Sequence, residues 1–172
     1  MMRKCMAVVF VIIIFSGLWY ATSIAEYRYI FDFASVINPS DKVLIENYVE
    51  AVSDLGIGHC IVITQKTKEF SEEQGMAIAV SSPLGVIDDE AMIVIYLFTE
   101  DRYVVVKPSQ MINARITGAM CDELIDEYAI PLLKQNDYSG GLTSLVKATC
   151  LKYVLSYTPL FDDVNLINAL AE

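Results

Sequence analysis

Ala91-Met92-Ile93-Val94-Ile95-Tyr96-Leu97-Phe98 is the stretch that decides the fold. It is dominated by β-branched and aromatic residues and is too short for a buried helix, so it reads as a strand. Apolar residues at every position, rather than at alternate ones, mean burial on both faces. Thr99-Glu100-Asp101-Arg102 then forms a polar turn, and Tyr103 to Lys107 returns as the next strand. The pair predicts a hairpin. Upstream, His59-Cys60-Ile61-Val62-Ile63-Thr64 is a second buried strand of the same kind.

The segments around these strands read as helices. Asn38-Pro39 marks a helix start, with Asn38 as N-cap and Pro39 at the first helical position. Leu44, Tyr48, Val52 and Leu55 recur at helical spacing behind it, and Gly56 and Gly58 end it. Before it lie an aromatic opening segment, Glu26 to Phe31, and a short loop, Asp32 to Ile37. Ser71-Glu72-Glu73-Gln74 is a capping box that opens a second helix, which runs to about Val80 and breaks at Ser81-Ser82-Pro83-Leu84-Gly85. A long helix is expected from Met111 to Tyr128, with Ile112, Ile116, Met120 and Leu124 on its apolar face. Pro131 and Asn136-Asp137 interrupt the pattern, and Gly140-Gly141 leads into a last helix over Leu142 to Tyr157. The order α-β-α-β-β-α-α predicts an α/β fold: a three-layer α/β/α sandwich around a small mixed sheet that includes the hairpin.

The N-terminus has a different character. Met1-Met2-Arg3-Lys4 is basic, Met6 to Tyr20 is an almost unbroken apolar run, and Ser23 and Ala25 occupy the two small-residue positions of a cleavage site. These are the three parts of a secretory signal, expected to end at Ala25. The alternative is retention of residues 6–20 as a membrane anchor, although a spanning helix usually needs ~20 apolar residues. Either way the domain, residues 29–157, is expected outside the cytoplasm, secreted or periplasmic, with residues 158–172 as a C-terminal tail. Membrane contact is expected only if the leader stays uncleaved.

Charge and cysteines narrow the class. The whole chain carries −10, with 12 basic and 22 acidic residues, and loss of Arg3 and Lys4 makes this −10 − 2 = −12. That balance argues against nucleic acid and anionic membrane surfaces, which need a basic footprint. Cys60, Cys121 and Cys150 follow no zinc or redox spacing and read as small buried hydrophobes. In an oxidising compartment Cys121–Cys150 is the pair to test, because both fall on the late helices. The glycines form no Walker or dinucleotide pattern, so no nucleotide cofactor is expected. His59 is the sole histidine and opens an apolar strand, which favours a structural role over a catalytic triad or a zinc site.

Two stretches carry a family resemblance. One is Asp32-Phe33-Ala34, then Ile37, then the Pro39-initiated helix. The other is Ile130-Pro131, followed at fixed distance by Asp137-Tyr138-Ser139-Gly140-Gly141-Leu142. In this order, around these strands, the chain from about Tyr29 to Cys150 resembles the TPM domain family as a divergent member. Leu84-Gly85 keeps the family's mid-chain glycine without its tryptophan. Asp88-Asp89-Glu90-Ala91 stands in place of an Asn/Asp-Gly, and Lys107-Pro108-Ser109-Gln110-Met111 in place of a Gly-rich segment.

The resemblance implies a Rossmann-like sandwich, divalent cation binding (Ca²⁺ or Mg²⁺), weak acid phosphatase activity in some members, and assembly or repair of membrane complexes. It implies three roles here. The first is an accessory module with a membrane-associated protein partner, the second a low-activity phosphatase, and the third a member whose core survives without a ligand site. Hard cations prefer several oxygen ligands on flexible loops, which makes Asp32, Asp88, Asp89 and Glu90 the candidate metal ligands. The alternative is that Asp32 orders its loop through backbone hydrogen bonds and the acidic cluster is a solvated turn. Phe33, Pro131, Asp137, Tyr138 and Gly141 are expected to be structural: Asp137 caps the last helix, Tyr138 packs between helices, and the glycines permit the turn.

Overall fold

The computed structural model describes residues 29–68 and 91–157. The elements run β1 (Ile30–Asp32), α1 (Pro39–Asp54), β2 (His59–Gln65), β3 (Met92–Phe98), β4 (Tyr103–Pro108), α2 (Gly118–Leu124), a π-helical turn (Ile125–Ala129), α3 (Ile130–Leu133) and α4 (Tyr138–Leu155). The leader, the helix expected from Ser71, the Asp88-Asp89-Glu90 cluster and the tail lie outside the described residues. Among the described residues, no helix is long and apolar enough to cross a membrane.

The sheet order is β1-β2-β3-β4. β1, β2 and β3 are parallel, with Asp32 beside Thr64 and Thr64 beside Leu97, and β4 returns antiparallel, with Tyr103 beside Phe98. The mixed sheet and its hairpin are therefore as the sequence predicts. β1 spans the end of the aromatic opening segment and the first residue of the loop expected after it; three residues are too few for a periodic signal, and only pairing with Val62, Ile63 and Thr64 makes them a strand.

Strand side chains alternate between two buried clusters. Cys60, Val62, Ile93, Ile95, Leu97, Val104 and Val106 meet the helices on one face. Ile61, Ile63, Met92, Val94, Tyr96 and Phe98 form the other cluster, flanked by Phe31, Tyr103 and Val105. Every β3 residue is buried, which explains why its sequence is apolar throughout rather than alternating.

The helices differ from expectation in detail. α1 begins at Pro39 as predicted, but it buries Ile45, Val49 and Val52, while Leu44 is 43% exposed. Val52 is buried as expected and Tyr48 and Leu55 pack at the edge of the core, but the centre of the buried stripe lies on Ile45 and Val49 rather than on Leu44 and Tyr48. The helix expected from Met111 starts only at Gly118, where the Thr117 hydroxyl accepts from the Met120 amide. Ile112 and Ile116 keep their helical spacing through isolated turns, and both are buried.

Pro131 does not simply end a helix. It lies in the first turn of α3, where a missing N–H is tolerated, and the turn before it widens to the π register. α4 starts at Tyr138, four residues early, because Asp137 caps it and Gly140 and Gly141 lie within its first turns.

Candidate functional site

The C-terminal end of β1 is the first place where polar groups converge. Asp32 leaves the strand beside Thr64, and the loop doubles back through Ser35, which adopts a left-handed φ of 56°. The Asp32 Oδ1 accepts from the Thr64 hydroxyl at 2.6 Å and the Val36 amide at 3.1 Å. Its Oδ2 accepts from the Ile37 amide at 3.3 Å and lies 2.8 Å from the Lys42 Nζ. A carboxylate offers about four lone-pair sites, and each here faces a donor. The Asp32 side chain is only 4% exposed. Burial pushes its carboxyl upward, but Lys42, Thr64 and the two amides outweigh that and hold it below the ordinary range.

This saturation bears on cation binding. A cation at Asp32 would have to displace the bonded ammonium or strip donors from a nearly inaccessible carboxylate. The three other acids named with it fall outside the described residues. Among the described residues no group of three His, Cys, Asp or Glu side chains could hold a metal.

The second sequence stretch packs against the first. Asp137 caps α4 by accepting from the Gly140 amide at 2.9 Å. Ser139 is buried, accepts from the Asn38 amide at 2.9 Å and donates to Asp41. The two ends of the domain are thus joined at the start of α1. A Cβ on Gly141 would meet the Leu133 side chain at 3.1 Å and the Ala129 carbonyl at 3.3 Å, so this glycine allows α4 to approach the preceding turn. Tyr138 packs on the main core from its edge. Phe33 differs from these: it is 54% exposed and stacks on Phe31, with centroids 6.3 Å apart.

A second polar group lies at the opposite end of the sheet. The Tyr29 hydroxyl donates to the Ser53 Oγ at 2.9 Å, and that oxygen is 3.2 Å from the His59 Nδ1. The Tyr29 and His59 rings stack at 6.1 Å. Ser53 and His59 line a pocket of about 230 Å³ with Gly56, Ile57, Gly58 and Ala91. Sequence reading left Tyr29 and Ser53 unmarked and made His59 structural. Nothing in the spacing announces the trio, because β1, α1 and β2 bring it together only in the fold. Lys42 escaped notice for the same reason, and Thr64 and Ser139, though they lie in stretches the sequence singles out, gain their polar roles only in the fold.

The cysteines are the small buried residues that the sequence reading expects. All three are free and buried. The Cys150 thiol is held well above its ordinary range by a hydrogen bond to Cys60 and by burial, so its neighbour is the β2 cysteine rather than Cys121. Burial and the nearby Asp122 push the Cys121 thiol up to about 11.

These features define an α/β domain with a parallel β1-α1-β2 unit, a terminal hairpin and a helical layer locked to the start of α1. The TPM domain family matches residues 30–150, and the chain belongs to it. Similar solved structures share the fold at low identity. The N-terminal domain of a P. gingivalis protein is 15% identical with a TM-score of 0.64, over 77% of this chain and 86% of that one. The N-terminal domain of the cg2496 protein from Corynebacterium glutamicum is 17% identical with a TM-score of 0.51, over 74% and 80%. Among curated proteins none matches this sequence.

Proposed function

We propose that this domain is an accessory binding module, not a phosphatase, that acts outside the cytoplasm on a membrane-associated protein complex. Membership of the TPM family supports the class, and the leader-like residues 1–25 support the compartment. The observation that carries the reading is the saturated Asp32 carboxylate. The acid that a phosphatase or a cation site at this strand end would use is already bound by Lys42, Thr64 and two amides. It organises the loop that presents Phe33, whose exposed ring is of a type enriched at protein interfaces.

The test pairs an activity assay with a binding assay on the full chain. Hydrolysis of p-nitrophenyl phosphate at acid pH, with and without calcium, is expected to equal that of Asp32→Asn. Detergent-extracted membranes of the source cells are expected to yield a defined complex with the wild type, and much less of it with Phe33→Ala. Turnover that disappears in Asp32→Asn overturns the reading, as does capture that does not depend on Phe33.

A further inference from the structure

The Tyr29-Ser53-His59 group has the parts of a reactive hydroxyl site, and it is separate from the Asp32 end. Ser53 lies in the last turn of α1 and His59 opens β2, four residues beyond the helix C-cap Leu55. The connection is fixed by two glycines with positive φ: Gly56 at 65° and Gly58 at 146°. A Cβ on Gly58 would collide with the Ala91 carbonyl and the Tyr153 hydroxyl, so only glycine brings His59 in at this angle. Tyr153, which donates to the Ile57 carbonyl at 2.8 Å, holds the loop from the far side.

A hydroxyl has one proton to give. With the Tyr29 hydroxyl donating to Ser53, the Ser53 proton is available to the His59 Nδ1, 3.2 Å away. The stacked Tyr29 ring fixes the plane of the imidazole. A nucleophile within reach of a base, with the base held by a third group, is the arrangement that activates serine. Neither Ser53 nor His59 is buried, and both face the pocket. At about 230 Å³ the pocket is below the size that takes drug-sized ligands, and it suits a short acyl chain.

We propose that Ser53 is an acylation site, with His59 as its general base and a short-chain activated ester as the acyl donor. In the step, the Ser53 Oγ proton passes to the His59 Nδ1 as Oγ bonds to the carbonyl carbon. The carbon–oxygen bond to the leaving alcohol then breaks, and the alcohol takes the proton from the imidazolium. The net change is Ser–OH plus ester to acyl-Ser plus alcohol, with no further reactant.

The experiment incubates the full chain with p-nitrophenyl acetate and follows single acetylation by intact mass, with the site located by peptide mapping. Acetylation of Ser53 is expected, absent in Ser53→Ala and about a hundredfold slower in His59→Gln, in the range that general-base catalysis contributes. Melting curves of each variant confirm that it is folded, and Tyr29→Phe gives a milder perturbation of the same group. Folded wild type with Ser53 unmodified overturns the proposal, as does modification at an equal rate in folded His59→Gln. Neither outcome bears on Asp32 or Phe33, so this proposal and the binding-module reading fail separately.

Discussion

The Lys42 ammonium lies 2.8 Å from the Asp32 carboxylate and joins the first turn of α1 to the end of β1. The carboxylate is nearly inaccessible while the lysine side chain is 26% exposed. The pair is therefore asymmetric: water can hydrate the lysine, whereas the aspartate depends on its protein donors, of which Lys42 is one of four. Removing the aspartate strands the Thr64 hydroxyl and the Val36 and Ile37 amides.

Asp32→Ala is accordingly expected to cost about 2–4 kcal/mol, since it leaves several buried donors unmet. Lys42→Met is expected to cost less, because three neutral donors still face the carboxylate. Urea unfolding of both variants measures the order, and a larger loss for Lys42→Met contradicts it.

The same pair sets an acid limit. The folded carboxyl of Asp32 lies below its ordinary value, and an unfolded aspartate titrates near ~3.9. The folded state thus binds the proton less readily than the unfolded state. The contribution of Asp32 is fully present above about pH 5 and is lost as pH falls through the lower folded value. Wild type minus Asp32→Asn stability, measured from pH 6 to pH 2, is expected to be flat at first and then to shrink. A difference that grows on acidification has the wrong sign.

The start of α4 gives a smaller effect. Asp137→Ala removes the acceptor for the Gly140 amide, and loss of such a cap costs about 1 kcal/mol. Gly58→Ala should be far worse, because its Cβ would overlap the Ala91 carbonyl and its φ of 146° disfavours any side chain. Thermal melting ranks the two, and a mild Gly58→Ala would show that the loop can move away from β3.

Thr149 offers the opposite sign. It is fully buried on α4, and its hydroxyl has no hydrogen-bond partner among the described residues. Thr149→Val replaces an unsatisfied polar atom with a methyl of similar volume. It is expected to be neutral or to stabilise by about 1 kcal/mol. A loss of more than that, by denaturant midpoint, would show that the hydroxyl has a partner.

The strands were legible because their composition is dictated by burial on both faces. Met92–Phe98 could be little else, and the Thr99–Arg102 turn gave away the hairpin. The start of α1 was legible from Asn38-Pro39, although the Asn38 side chain makes no capping bond, and the α4 cap was legible at Asp137, whose carboxylate does. Phase was less so: Leu44 and Ile45 are both apolar, and only the direction of the core decides which one is buried. The three-residue β1 was hidden because its stability comes from β2. The sites were least legible. Asp32 stood out by its setting, but Lys42, Thr64, Ser53 and Tyr29 acquire meaning only when distant segments meet.

Thermal melting of the wild type and Asp32→Asn, each with and without millimolar calcium, tests the central claim most directly. A ligand held by the folded state raises its midpoint. With Asp32 committed to Lys42 and the loop, calcium should shift both proteins equally or not at all. A calcium-dependent rise in the wild type that is absent from Asp32→Asn would contradict the account and make Asp32 a cation ligand.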